Sequence, residues 1–484
     1  MGVVASQSFK NIVSTYLGFV VGAINTLFLY TKFLKDQDYG MVGYMLSLAY
    51  VIMPLMAFGA HNALVKFYTT FKTRESLNSF LTLMLLLPIA VIIPVVFITY
   101  CGYGFIADVL ANKNAIIKNY LWHTVIIAIS LAYFELFFSW AKVQMQTVVG
   151  NFMKEVFHRV GTMLLLFLFY FKYIDLELFM AGLVVVYFVR MLIMKVYAFS
   201  LKLPILTFQK INDLSRILKY SGLIIIAGTI ATSLLDVDKV MLGYYIPIKE
   251  IAYYNVAIFI TAVIAVPQRS MHQLLMPMTA KFLNERNYLA LKKLYKRSSL
   301  NLFIVAGFIF LLIVLNINQL YLIIPQEFNV GLYVVFMISI VKLYDALLGS
   351  NNAILFNSDY YRIVLVLGVV LVAVMVILNI VFIPVLGING AGLATFLAVF
   401  LYNSVKLFFV YKKYKITPFS AKTIQIGFFI GACILLFYFW DFSFHPILNI
   451  ALKSFLITIL YVFIVFKFRF SEDISKLLIR YLKL

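Results

Sequence analysis

One pattern runs the length of the chain: a stretch of roughly 20 mainly apolar residues, a short polar or Gly/Pro-marked break, then another stretch. Hydrocarbon offers no water to backbone N–H and C=O groups, so a stretch of that length crosses a bilayer only as a helix. Cutting the chain at its breaks gives about fourteen spans. The first lobe holds 11–33, 40–62, 79–100, 119–140, 156–171 and 177–198; the second holds 221–244, 251–275, 299–322, 331–350, 363–384 and 391–411. Two more follow at 423–440 and 447–466, and an even number returns the tail to the starting side. Only 12% of residues are charged and 64% are hydrophobic, against about 25% charged in soluble domains. The excess is spread along the whole chain, which leaves no appended soluble domain. The expected class is therefore an all-α integral membrane protein. Its parts are an N-terminal six-helix lobe (1–200), an amphipathic connector (201–220), a second six-helix lobe (221–412), two additional helices (413–466) and a basic amphipathic cytoplasmic tail (467–484). The opening MGVVASQSFKNIVSTYLGF has no small-residue cleavage site after a short apolar core, so the first run reads as a retained helix.

The net charge is +21. A nucleic-acid binder gathers its lysines and arginines on one surface, whereas here they punctuate the apolar runs. Membrane topology accounts for them better, because short cytoplasmic loops carry the excess of Lys and Arg. Loops assigned inside hold Lys66, Lys72 and Arg74; Lys142, Lys154 and Arg159; Lys202, Lys210, Arg216 and Lys219; and a dense group from Lys281 to Arg297. Those assigned outside hold few, and the loops near Gln326, Gly387 and Phe442 hold none. Both termini are thus expected in the cytoplasm. Two segments have helical apolar stripes suited to lying in the headgroup plane: Ile211, Leu214, Ile217 and Leu218 in the connector, and Ile474, Leu477, Leu478, Tyr481 and Leu482 in the tail. Cys101 and Cys433 are too few for a zinc site or a disulfide framework, and no metal site is expected.

An ionisable group at bilayer depth costs roughly 2.5–3.5 kcal/mol or more, so a retained one faces a cavity or a partner. Arg190 sits mid-way along the sixth run, either on a transport pathway or in a structural ion pair. Asp236, Asp238 and Lys239 share the seventh run; Asp236 and Lys239 are one helical turn apart and either neutralise each other or divide between a cavity and ion coupling. Lys342 and Asp345 repeat that spacing in the tenth run, where a local salt bridge is the favoured reading. Arg269, His272 and Lys406 lie near enough to helix ends to snorkel. Glu135, deep in the fourth run, either binds a cation or pairs with Arg190. His61 and His123, near helix ends, read as satisfied histidines.

The two halves rhyme. STYLGFVVGAINTLFLYTKFLKDQDYGMVGYMLSLAY and SGLIIIAGTIATSLLDVDKVMLGYYIPIKEIAYYNVAIF each give a small-residue-rich helix, a polar hairpin, an aromatic-small element and a second helix. Such parallel duplication is a transporter plan with substrate bound between the repeats. Three stretches, FLKDQDYGMVGYMLSLAY, LSRILKYSG leading into TSLLDVDKVMLGYY, and LNIVFIPVLGINGAGLATFLA with Asn379, Pro384, Gly387, Gly390 and Gly392, resemble the polysaccharide-transporter (O-antigen flippase) branch of the multidrug/oligosaccharidyl-lipid/polysaccharide (MOP) exporter superfamily. The resemblance covers most of the chain and implies a MATE-like fold of twelve core helices, usually with two more, working by alternating access. No HExxH, GxSxG or phosphate-loop motif appears in a workable context, so no enzymatic activity is expected. The implied task is flipping a polyprenyl-pyrophosphate-linked oligosaccharide from the cytoplasmic to the outer leaflet of a bacterial inner membrane, for cell-surface polysaccharide and lipopolysaccharide synthesis.

On that reading the anionic cargo meets Arg190, Lys239, Arg269, Lys342 and Lys406, while Asp236, Asp238, Glu135 and Asp345 are the acids available for ion coupling. No cofactor is expected beyond H+ or Na+. The partners are the lipid-linked oligosaccharide and membrane lipids, with a polysaccharide polymerase or glycosyltransferase alongside a monomeric transporter and no nucleic acid. An ion-coupled multidrug or organic-cation antiporter of the same superfamily needs an acid-lined cavity, whereas the buried charges lean basic and the first span has no acid. A membrane polymerase or ligase needs acids, bases or a metal gathered on an accessible loop. The longest external loop, CGYGFIADVLANKNAIIKN, offers Asp108 and lysines only.

Overall fold

A computed structural model describes residues 2–211 and 213–482, and every regular element in them is helical. Eleven helices among the described residues are long and apolar enough to cross a membrane. They start with Lys10–Phe33 and end with Pro446–Lys467. Ala421–Phe437 is apolar but shorter. The run Val148–Tyr170 and the helix Leu214–Tyr245 occupy the places of the expected fifth and seventh spans.

Packing sorts the chain into two compact units, residues 1–252 and 253–484. In the first, Asp36–Ala57 and Leu176–Leu201 both lie against the long helix Ile116–Val143. Leu214–Tyr245 packs on Asp36–Ala57. Asn114 explains why the end of that helix stays there. Its Nδ2 donates to Gly243 O at 2.7 Å and Ile246 O at 2.9 Å, and its Oδ1 accepts from Ile248 N at 2.8 Å. One buried amide thus satisfies two carbonyls and one N–H where the helix ends, groups that have no intrahelical partner.

The connector differs from expectation. Residues 203–211 have no regular structure, and the helix that begins at Leu214 runs on unbroken to Tyr245, so there is no separate interfacial helix. Ile217 instead buries among Ala60, Phe67 and Trp140. An apolar stripe at helical spacing serves a protein core as well as a headgroup plane, and here the core takes it. The tail does form its own helix, Glu472–Leu482. Of its expected faces, the side chains of Leu477, Leu478, Tyr481 and Leu482 lie outside the described residues.

In the second unit, Tyr361–Leu386 and Ile388–Tyr414 form a helical hairpin with the single residue Gly387 between them. Its φ of 57° and ψ of −133° are open only to glycine. A Cβ at Gly390 would sit 2.2 Å from Phe382 O, so the returning helix grazes the backbone of the outgoing one. The Pro-x-x-Gly-x-x-Gly pattern is thus a tight turn followed by close backbone packing. Helix starts are capped where they leave the apolar region: Thr73 and Asn287 accept from their helices' first turns, and Ser420 with Thr423 makes a reciprocal capping box.

Asn114→Ala removes three hydrogen bonds from a buried helix end, at about 1–3 kcal/mol. It should lower the apparent melting temperature in detergent, whereas Lys113→Ala, on the exposed neighbour, should not.

Candidate cation cluster in the first unit

Two π-helical turns interrupt the first unit, Ile24–Leu29 in the opening helix and Met153–Phe157 in the fifth. Such turns are rare and concentrate at functional sites. The opening helix lies so close to the second of them that a Cβ at Gly18 would be 2.3 Å from Glu155 O and 2.9 Å from Arg159 Nη1. Asn25, inside the first π turn, donates its amide to Arg159 O at 2.8 Å. Glycine at 18 and the wider turns together bring the charged part of the fifth helix into the bundle.

Four cations gather there against two carboxylates. Lys154 Nζ meets Glu135 Oε1 at 2.5 Å, and Arg159 Nη1 lies 3.6 Å from Glu155 Oε2. Lys142 and His61 lie within electrostatic reach of Glu135, and Lys142 Nζ sits 3.9 Å from the centre of the Phe138 ring. Arg190 is 2% exposed, its guanidinium stacked 4.2 Å from the Phe134 ring centre and 4.8 Å from that of Tyr187. His158, beside Tyr187, feels both Arg159 and Arg190. Arg190 takes part in no ion pair among the described residues. Arg190 Nε and Arg159 Nη1 are buried without a hydrogen-bond acceptor. Buried donors are nearly always satisfied, so two guanidinium groups with open positions suit an oxyanion, which arginine binds in forked geometry.

Several sequence expectations change here. Glu135 pairs with Lys154 and not with Arg190. Lys154 and Arg159, assigned by charge to a cytoplasmic loop with Lys142, belong to the site, because the fifth helix starts at Val148, a turn and more before the apolar run. No apolarity scan finds them. Their only trace in the sequence is the acid at Glu155, four residues before Arg159. His61 and His123 each leave Nδ1 without a partner, so neither is fully satisfied.

Asp236 and Lys239 neutralise each other at 3.2 Å, and Ser47 Oγ donates to the same Asp236 oxygen at 2.9 Å. Asp238 is buried. In the second unit, Lys342 and Asp345 form no salt bridge, contrary to the spacing; Asp345 accepts instead from Asn403 Nδ2 at 3.2 Å. Lys342 remains within electrostatic reach of both Asp345 and Arg269. Arg269 itself is exposed. Lys406 does not snorkel. It is 2% exposed, donates to Asn352 Oδ1 at 2.7 Å and lies 4.0 Å from the Tyr402 ring centre. Sequence reading also passed over Lys453, wholly buried and bonded to Asp441 at 3.0 Å.

Among solved structures, lipid II flippase MurJ in an inward closed conformation matches with a TM-score of 0.72 over 95% of this chain and 99% of its own, at 15% identity. The chain carries the MATE-like fold. An inward-facing multidrug resistance MATE family transporter of the MOP superfamily matches with a TM-score of 0.62 at 12% identity, covering 84% of this chain and 98% of its own. A MOP superfamily transporter from Pyrococcus furiosus gives 0.51 at 13% identity, covering 85% and 95%. No protein-family model matches the sequence, and neither does any curated protein. The fold is shared with multi-pass membrane transporters.

Glu135→Gln leaves Lys154 without its carboxylate. Because the lysine side chain is 44% exposed, solvent screening holds the cost to about 1–2 kcal/mol. Thermal unfolding in detergent should show the loss, and adding Lys154→Met should restore most of it.

Proposed function

We propose that this protein flips a polyprenyl-pyrophosphate-linked oligosaccharide from the cytoplasmic to the outer leaflet of a bacterial inner membrane, by alternating access and as a monomer. The observation that carries this reading is Arg190, buried with no ion pair among the described residues and with Nε lacking a hydrogen-bond acceptor, inside a cluster where cations outnumber carboxylates. A pyrophosphate brings about two negative charges and many acceptor oxygens, and cannot cross about 30 Å of hydrocarbon uncompensated. Arginine held by aromatic faces, as Arg190 is, keeps its charge in a weakly polar setting and offers its edge to phosphate. The likeness to a lipid II flippase supports a lipid-linked cargo.

In the first unit Glu135 and Asp236 are each already bonded to a lysine, which weighs against an organic cation binding at those two acids. Asp345 has no cation within 4 Å among the described residues and accepts only a neutral amide, so we assign coupling to H+ or Na+ to it. A polysaccharide polymerase or glycosyltransferase would receive the product, with both termini of the transporter cytoplasmic.

In reconstituted vesicles, the wild-type protein should move a polyprenyl-pyrophosphate oligosaccharide between leaflets. Arg190→Ala should slow this by about tenfold or more, matching the roughly 1.5–3 kcal/mol of a charged hydrogen bond, with Arg190→Lys between the two. Movement of cationic dyes in place of the lipid, or full flipping by a well-expressed Arg190→Ala, would overturn the reading. Asp345→Asn should remove dependence on an ion gradient while leaving lipid binding intact.

A further inference from the structure

The first unit holds a concave site away from the cation cluster. A cavity of about 750 Å³ lies between the amino-terminal end of Ile116–Val143 and the turn into Leu176–Leu201. That volume falls in the range of small-molecule sites, about 300–1,000 Å³. Asn119, Tyr120, His123, Tyr173, Asp175 and Glu177 give it its chemistry, and no lysine or arginine lines it. The nearest cation on its own helix, Lys118, is turned away into a salt bridge with Asp108. Tyr173 stands 76% exposed at the rim. The His123 ring is held edge-on to Tyr120 at 5.3 Å, and its Nδ1 has no hydrogen-bond partner. One oxygen of Asp175 caps the Leu176–Leu201 helix through Leu178 N at 2.8 Å, which fixes the carboxyl group at the cavity wall.

This lining is the inverse of the cation cluster. Aromatic rings with amide and carboxylate groups among the same lining residues suit the apolar C–H face and the hydroxyls of a sugar. Two carboxylates with no ion-pair partner within 4 Å among the described residues disfavour phosphate there. The cavity sits at the end of the bundle that the charge pattern assigns to the exterior. From His123 to Glu135 along one helix, and from Glu177 to Arg190 along the other, is about 18–20 Å at 1.5 Å per residue. A short oligosaccharide spans that distance.

We infer that this cavity is a saccharide-binding subsite for uncharged, hydroxyl-rich sugars at the outer end of the first unit, separate from the phosphate-binding cluster. The inference rests on the flippase reading for its role, where the subsite takes the distal sugars of the cargo while the cluster holds the pyrophosphate. Its binding chemistry stands on the cavity alone.

The test uses the full chain in detergent and soluble probes with no lipid or phosphate, so that its outcome is separate from that of the flipping assay. Saturation-transfer NMR with maltotriose and with N,N′-diacetylchitobiose should show saturable binding of at least one. Tyr173→Ala and Glu177→Gln should each weaken it by about tenfold, roughly one lost contact of 1.4 kcal/mol, and Lys113→Ala should leave it unchanged. Both sites are exposed, and unaltered thermal unfolding would show that the variants are folded. Absence of binding to both saccharides, binding unchanged in both cavity variants, or calcium binding at the cavity without saccharide binding would each overturn the inference.

Discussion

A charge inside a helical membrane bundle has to be answered by something, and how each one is answered organises this structure. Hydrocarbon forces the backbone into helices and leaves it satisfied, so the remaining electrostatic debt sits on a few side chains. Most of them settle it locally: Asp236 with Lys239, Glu135 with Lys154, Lys453 with Asp441. Lys406 settles it with an amide and a ring. Arg190 and Arg159 do so only in part, each keeping a buried donor without a hydrogen-bond acceptor, and the proposed function rests on that incompleteness.

Eleven of the fourteen expected runs reappear among the described residues as helices long and apolar enough to span, because bilayer thickness imposes a length on every apolar run; the count of fourteen is not established. The Gly387 turn was legible too, since a positive φ and a backbone approach of this kind admit only glycine. Arg190 stood out because it lies in the middle of a run. Pairings were less legible. Whether Lys342 meets Asp345 depends on rotamers and on neighbours from other helices, and the spacing misled. Lys154 and Arg159 were hidden by a different effect: one lies just before and the other at the start of the apolar stretch, so charge counting gave them to topology, whereas the helix had already begun at Val148.

The same tension explains the connector. Its stripe of Ile and Leu was read as resting on a membrane, but Ile217 found a core of Ala60, Phe67 and Trp140 close at hand. Amphipathicity says that one face seeks an apolar medium and is silent on which one.

The π turn at Met153–Phe157 has a mechanical consequence. Such a turn carries one residue more than the α turn it replaces, so converting it to α geometry rotates everything beyond it by about 100° about the helix axis, one residue's share of a 3.6-residue turn. Arg159 lies just past that point, and Lys154 and Glu155 lie within it. A single-residue slip there would carry Arg159 away from the opening helix and break the bond that Asn25 donates to its carbonyl, so the same contacts that place the arginine hold the wider turn in its register.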